Sequence, residues 1–302
     1  MMKRTRIILF ACILGCCFSF RPAWPPGEEM FVGSTPGDVA IKDILNIHDA
    51  EVDFIRWELV LVSTDNALHN FSLKLNYGIS KPNTLGFMAD GKTQSTQGLV
   101  DISNSKTGAT VYILKSPDFN SSLSLIKLNS NVLHILTRDE RLMIGNGGWS
   151  YSLNKKNPTK ESRGVMPPVL SSLDLSSENT ITFAGRTPCE PVNTEYNLNL
   201  GENCLKVKWL LKLYIEPVTH KPTSFYWNRT GHRSGNIEGT WSIETSTINN
   251  LPVMICRLKP VSPFEPIDML IADGNVMYFL DKSQSIMTGD ENFSFALNRI
   301  LK

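Results

Sequence analysis

The stretch "NVMYFLDKSQSIMTGDENFSFALNR", residues 275–299, is a second copy of "NVLHILTRDERLMIGNGGWSYSLNK", residues 131–155. The two align without a gap at an offset of 144 residues, and eight positions are identical. Aromatic residues are kept at Trp149/Phe293 and at Tyr151/Phe295. Because self-similarity at a fixed offset is the signature of a repeated unit, the sequence indicates a tandem duplication.

A second pair of stretches lies nearer the start of each copy. "FVGSTPGDV" begins at Phe31 and "FAGRTPCEP" begins at Phe183, an offset of 152 that also places Trp57 on Trp209. Each copy therefore runs from an F-x-G-x-T-P opening to a closing aromatic-S-aromatic-x-L-N. Since 152 exceeds 144 by eight, the first copy is eight residues longer in its middle.

These landmarks divide the mature chain into two units and a connection. We expect the first β domain over 29–156 and the second over 179–302. The residues between them, 157–178, are rich in Lys, Pro and Ser, a composition typical of an exposed linker.

Alternation of apolar and polar residues dominates both copies. In "LKVKWLLKL", residues 205–213, Leu205, Val207, Trp209, Leu211 and Leu213 fall on one face of a strand. Several such short strands within about 120 residues favour a small barrel or sandwich. The sequence therefore predicts an all-β protein of two tandem, small β-barrels or sandwiches.

Local signals add one turn and one helix. Asp273-Gly274 between two apolar runs predicts a two-residue hairpin turn with positive φ, and Asn129-Ser130 is its weaker counterpart. "VAIKDILNI", residues 39–47, predicts a short helix after a capping Asp. The matching stretch of the second copy, residues 191–200, reads as irregular.

The amino terminus reads as a targeting signal. "MMKRTR" is a cationic segment, and "IILFACILG" is an apolar segment too short to span a bilayer comfortably. Leu14-Gly15-Cys16 fits a lipobox, so we expect a signal peptide over 1–15, lipidation of Cys16 and a tether over 16–28. The alternative is an ordinary secretory signal whose cysteines are incidental. In both cases the protein is exported, and a lipid on Cys16 would make a membrane its first partner.

The charge balance limits the class of partner. The formal net charge is +1, and it becomes −2 once Lys3, Arg4 and Arg6 leave with the signal peptide. Nucleic-acid binding needs a strongly basic surface, so we expect no nucleic-acid partner.

The landmarks of the second copy resemble those of a known family. Thr-Pro-Cys at 187–189, a G-T-W strand, "ADGNVMYFLDKSQSIM" and the closing "FSFALNR" are similar to the amino-terminal domain of the NlpE family of envelope lipoproteins. The resemblance implies small lipocalin-like barrels in the bacterial cell envelope, either periplasm-facing or at the surface. It also implies a role associated with copper homeostasis or envelope-stress signalling, with another envelope protein as a partner.

One departure from that family bears on metal binding. The family shows P-C-x-x-C, whereas Cys189 is followed by "EPVN", so the dithiol is missing from both copies. The five histidines occupy no matching positions of the repeat and form no pair with ligand spacing. We therefore expect neither a metal site nor a cofactor.

The cysteines of the second copy predict a disulfide. Cys189 and Cys204 align with Gly37 and Val52, so the first copy lacks both cysteines rather than one. Two cysteines that are both present in one copy and both absent from the other are expected if they bond to each other. Export supplies the oxidising compartment in which such a bond forms. The alternative is a reduced Cys189 that senses redox state or metal. Cys256 then remains as a buried, unpaired thiol.

Trp57 and Trp209 are the candidate interior residues. They fill the core of each unit, or they form the floor of a ligand cavity, as aromatic residues often do. No nucleophile elbow, zinc-protease motif, phosphate-binding loop or dinucleotide fingerprint is present in the sequence, which argues against an enzyme. The sequence thus favours a binding or stress-sensing envelope lipoprotein, with a carrier of a small apolar ligand as the alternative.

Overall fold

A computed structural model describes residues 27–64, 67–159, 173–198, 200, 204–230, 235–248, 251–261 and 263–301. The signal peptide, Cys16 and residues 160–172 of the linker lie outside these ranges. The first copy contains β1 (Glu28–Pro36), α1 (Val39–Ile44), β2 (Phe54–Thr64), β3 (Ala67–Gly78), a 3-10 helix (Met88–Asp90), β4 (Lys92–Asn104), β5 (Thr110–Lys115), β6 (Leu123–Lys127), β7 (Val132–Ile135) and β8 (Ser152–Lys155). The second contains β9 (Thr180–Pro188), α2 (Cys189–Tyr196), β10 (Lys206–Ile215), β11 (Pro222–Thr230), β12 (Gly235–Ile248), β13 (Leu251–Pro260), β14 (Ile267–Ile271), β15 (Val276–Phe279) and β16 (Ala296–Arg299).

Each copy is a closed, antiparallel, eight-stranded barrel. Neighbouring strands pair in chain order, and β8 returns to β1 through Val32 and Asn154. In the second barrel β16 returns to β9 through Ala184 and Asn298. Closure gives every strand a hydrogen-bonded neighbour on both sides, which protects the sheet from pairing with another chain. The predicted all-β fold of two tandem barrels is confirmed.

The opening motif has a distinct role at each fixed position. Phe31 and Phe183 are buried in the two interiors. An added Cβ at Gly33 would lie 2.6 Å from the carbonyl oxygen of Ser152, so only glycine lets β8 approach β1. Gly185 meets β16 in the same way, 2.7 Å from the Ala296 carbonyl oxygen. The motif glycine is therefore what allows each barrel to close.

The motif threonine holds the core tryptophan. The Trp57 indole donates to Thr35 Oγ1 at 2.8 Å, and Trp209 donates to Thr187 Oγ1 at 2.9 Å. Both indoles are buried, so each N–H would otherwise lack a partner. Trp209 also stacks on Trp227 with ring centroids 3.7 Å apart. Both candidate tryptophans thus lie in the core.

Three local expectations are corrected by the structure. Leu205 precedes β10 and is 72% exposed, so it does not share the buried face of Trp209. The segment read as irregular contains α2, which buries Val192 and Tyr196 and ends at Asn197 in the left-handed conformation. Packing of that apolar face overrides the weak helix propensity of its Asn, Thr and Pro residues.

The third correction concerns the turn after β14. It is a four-residue connection, 272–275, rather than a two-residue turn, because the Asp273 carboxylate accepts the backbone N–H groups of Asn275 and Val276. The Asn129 side chain accepts the N–H of Asn131 at the matching place. The side chain of the turn residue, rather than positive φ, shapes both connections.

The extra length of the first copy lies between β3 and β4. Phe71 pairs with Gly98 across 27 residues, whereas Phe225 pairs with Gly239 across 14. The difference of 13 is partly offset by the shorter β2–β3 connection and the shorter strands β4 and β5 of the first copy. The additional residues form the 79–91 loop, which includes the 3-10 helix.

A third apolar core joins the two barrels. It is formed by the outer faces of β5–β8 and β13–β16 and the loops near them, and equivalent positions of the two copies contribute. At an offset of 144 these are Ala109/Val253, Val111/Ile255, Ile126/Leu270, Leu128/Ala272, Val132/Val276, Leu136/Leu280 and Leu142/Ile286. Because each surface patch meets its own counterpart, the interface is isologous, as in a two-fold dimer.

Polar contacts mark the axis of this pseudo-dimer. Asn298 Oδ1 accepts the N–H of Gly145 at 2.8 Å, and Asn154 Oδ1 accepts the N–H of Gly289 at 2.9 Å. Ser150 and Ser294 occupy equivalent positions, and their hydroxyls lie 2.5 Å apart. The closing aromatic-S-aromatic-x-L-N motif therefore supplies reciprocal contacts between the barrels.

Candidate functional site between the barrels

A groove with a volume of about 430 Å³ lies at the junction of the two barrels. We call it the junction groove. The first barrel lines it with Ser34, Phe54, Arg56, Trp149 and the 79–91 loop, and the second with Arg186, Leu205, Lys206, Lys208, Asn292 and Phe293. It is thus built from equivalent ends of the two copies, together with a loop that is extended only in the first.

The charge of the groove is entirely of one sign. Five cations line it, Arg56, Lys81, Arg186, Lys206 and Lys208, and no described acidic residue joins them. Among the residues that the structure describes, none of the five forms an ion pair within 4 Å. An unbalanced cluster of cations raises the local concentration of anions.

Aromatic rings hold the arginines of the groove in place. Phe54 is sandwiched between Phe87 and Trp149, with centroid distances of 4.1 and 4.8 Å and nearly parallel planes. The Arg186 guanidinium carbon lies 5.3 Å from the Trp149 centroid, and Arg56 lies 5.8 Å from that of Phe54. Cations over ring faces gain favourable electrostatic energy and lose side-chain freedom, so the guanidinium groups are pre-positioned.

Arg56 ties the two sides of the groove together. Its Nη2 donates to the Leu85 carbonyl oxygen at 2.6 Å and to Asn292 Oδ1 at 2.8 Å. The first acceptor belongs to the 79–91 loop and the second to the second barrel. Both acceptors are neutral, so neither offsets the positive charge of Arg56.

Burial and mutual repulsion act on the second barrel's cations. Burial lowers the pKa of Lys206, and the charges of Arg186 and Lys208 lower that pKa further. Burial also lowers the pKa of Arg186, whose Nε is buried without a hydrogen-bond partner among the described residues. Both shifts disfavour the charged forms of Lys206 and Arg186, and a nearby anion would favour those forms.

None of the predicted site residues that the structure describes is among the residues lining this groove. Cys189 and Cys204 form the predicted disulfide, with Cα atoms 5.7 Å apart, and Cys256 is a free buried thiol whose pKa is raised by burial. Trp57 and Trp209 lie inside the barrels. Cys16 lies outside the described residues.

Sequence reasoning missed the groove cations, although one signal pointed to them. Arg56 and Lys208 occupy equivalent positions on the outward faces of β2 and β10, beside the core tryptophans. A cation repeated at an outward-facing strand position is also expected for a side chain that simply contacts solvent, so this signal did not by itself indicate a binding site. Only the docking of the barrels brings these residues together.

Two features are absent from the described residues. Within the described ranges, no group of three His, Cys, Asp or Glu side chains is placed to hold a metal ion. No helix in the same ranges is long and apolar enough to cross a membrane. Comparisons with protein-family models, curated proteins and solved structures gave no match to this chain.

Proposed function

We propose that this protein is a non-catalytic binding module of the bacterial cell envelope, exported and anchored by a lipid on Cys16, and that the junction groove is its binding site. The observation that carries the proposal is the convergence of five cations without an acid. The ligand is a small anionic molecule. The resemblance of the second copy to the NlpE family supports the envelope location and a sensing role.

The packing of the interiors supports the groove over the alternative of an apolar carrier. Trp57, Phe71 and Tyr151 are fully or almost fully buried in the first barrel, as are Phe183 and Trp227 in the second. An apolar cavity suitable for a ligand measures several hundred Å³. Bulky side chains occupy the space that such a ligand would need.

Anchoring is tested with Cys16→Ser. We expect the wild-type protein in the membrane fraction and the variant in the soluble fraction, because the lipid is attached at that thiol. Cys17→Ser is the matched control, and this variant should remain in the membrane fraction as the wild type does. An unchanged distribution of the Cys16→Ser protein would reject the anchor.

Binding is tested by titration calorimetry on the purified Cys16→Ser protein at low ionic strength. The probes are acetate, succinate and inorganic phosphate. We expect heat from at least one anion, weakening as salt is added because exposed charges are screened. The charge reversal Lys208→Glu should abolish it, whereas Lys74→Gln, an exposed cation on the outer face of β3, should not. No heat from any of the three probes would overturn the proposed function.

A further inference from the structure

We infer that the anion taken by the junction groove is a phosphate monoester, held by Arg186, Lys206 and Lys208. This inference rests on the proposed function and specifies its ligand. A phosphoryl group carries a charge of about −1.5 to −2 at pH 7 and presents three acceptor oxygens. The chemistry of the three side chains matches those two properties.

Arg186 provides a planar fork of donors. Its guanidinium lies over Trp149, which is itself stacked on Phe54. A guanidinium fixed on a ring face keeps its N–H groups at the edge, where they match two oxygens of a phosphate.

Lys206 and Lys208 provide two point charges on one side of a strand. They are two residues apart on β10, so their side chains leave the same outer face. Lys206 lies over the Phe293 ring, with Nζ 5.4 Å from the centroid, and Lys208 is exposed. Arg186 is the cross-strand partner of Lys208 on β9, so the three cations line the same wall of the junction groove.

The charge count separates a phosphoryl group from a carboxylate. Arg186 and Lys208 are cross-strand partners on β9 and β10, and Lys206 is two residues from Lys208, so the three cations are near neighbours. A monocarboxylate neutralises one of them, and a dicarboxylate carries its two charges several bonds apart. A phosphoryl dianion places both charges on one group.

The remaining walls fit a small organic substituent. Leu205 is 72% exposed beside the cations, and the Phe293 ring lines the same side. A groove of about 430 Å³ is at the lower end of the range for small-molecule sites, about 300–1,000 Å³. A phosphorylated metabolite or the phosphate headgroup of a lipid would fit.

The test is titration calorimetry of the full Cys16→Ser chain with glycerol 3-phosphate. We expect binding at pH 7 that is about tenfold weaker at pH 5, because the second ionisation of a phosphate monoester lies near pH 6. Arg186→Gln and Lys208→Gln should each weaken it at least tenfold, as expected for loss of a charged hydrogen bond. Lys208 is exposed, so that variant keeps the fold even if Arg186→Gln does not. Lys74→Gln should bind as the wild type does.

Succinate distinguishes this inference from the proposed function. Succinate binding as tight as glycerol 3-phosphate, or glycerol 3-phosphate binding that does not change between pH 5 and pH 7, overturns the phosphoryl assignment and leaves an anion-binding module. No heat from glycerol 3-phosphate, succinate, acetate or inorganic phosphate overturns both.

Flotation with phosphatidylcholine vesicles, with and without phosphatidic acid, identifies the source of the phosphate. Binding only to vesicles that contain phosphatidic acid supports a lipid headgroup. Binding of glycerol 3-phosphate without flotation supports a soluble metabolite. Flotation with both kinds of vesicle, unaffected by Lys208→Gln, counts against the groove as the phosphate site.

Discussion

The two barrels fasten the helix that follows their first strand in different ways. In the first barrel the Asp38 carboxylate caps α1 by accepting the Ile41 N–H at 3.1 Å, and it also accepts the Tyr151 hydroxyl. In the second barrel α2 has no side-chain cap, and the residue equivalent to Tyr151 is Phe295. There the Cys189–Cys204 disulfide fastens the helix.

The positions equivalent to the disulfide touch in the first barrel as well. An added Cβ at Gly37 would lie 2.4 Å from Cγ1 of Val52, so the valine occupies the space of the bridge. The two backbones therefore bring the same pair of positions together. The disulfide of the second barrel thus replaces a packing contact of the first without a change of fold. Of the two barrels, only the second needs an oxidising compartment to form its bond.

Removal of the core tryptophans should have the largest effect. Trp57→Ala and Trp209→Ala should each lower the free energy of unfolding by about 3–5 kcal/mol, because each empties a buried site. We expect the larger loss for Trp209→Ala, which also leaves Trp227 unstacked. Urea denaturation followed by near-ultraviolet circular dichroism measures both. A wild-type midpoint in either variant would contradict the equivalence of the two cores.

Loss of the disulfide should affect the second barrel alone. The double variant Cys189→Ala, Cys204→Ala should lose about 3 kcal/mol, since the bond closes a loop of about 15 residues. A reductant should destabilise the wild type to the same extent and leave the double variant unchanged. A reductant effect that persists in the double variant would show that another cysteine is responsible.

Acid should lower the free energy of unfolding through His134, the residue equivalent to Tyr278 of the second barrel. Burial lowers the pKa of His134 to about 4, from about 6.5 for an exposed histidine. Its Nε2 donates to the Met143 carbonyl oxygen at 2.9 Å, and its Nδ1 accepts from the Tyr278 hydroxyl. Since the unfolded chain takes up the proton first, stability should fall by about 2–3 kcal/mol between pH 6.5 and pH 4 and then level off.

The control for this pH effect is His134→Gln, which keeps a donor and an acceptor but does not titrate. The difference in unfolding free energy between wild type and variant, measured at several pH values, removes the contribution of the carboxylates. A difference that is constant with pH would contradict a neutral, buried His134.

The motif threonines should have the smallest effect, and an equal one in both barrels. Thr35→Val and Thr187→Val each leave a buried indole N–H without its acceptor, which costs about 1–3 kcal/mol. Thermal unfolding of the two single variants compares them directly. Unequal losses would indicate that the first and second F-x-G-x-T-P motifs have different roles.

The fold could be predicted from the sequence because its signals are local. Alternation of apolar and polar residues about Trp57 and Trp209 predicts strands with one buried face, and the repeat predicts two domains of the same fold. The predictions were wrong where packing against another part of the barrel decides the local secondary structure. Leu205 follows the alternation but lies beyond the strand, and α2 forms because the barrel buries Val192 and Tyr196.

The groove could not be predicted because it depends on how the barrels dock. Asn154 and Asn298 are recognisable as repeated residues, but identity at a repeated position follows from duplication alone. Their reciprocal bonds to Gly289 and Gly145 become visible only once both barrels are in place. The same docking brings Arg56 within reach of Asn292.

The residues on the pseudo-two-fold axis differ from those of a dimer of separate chains. In such a dimer one codon specifies both members of every axial pair, so each residue there must be compatible with itself. In the fused chain each member has a codon of its own. Ser150 and Ser294 are still alike, whereas His134 and Tyr278 are not. A histidine acceptor facing a tyrosine donor is an arrangement that two identical subunits, each contributing the same residue, are unable to encode.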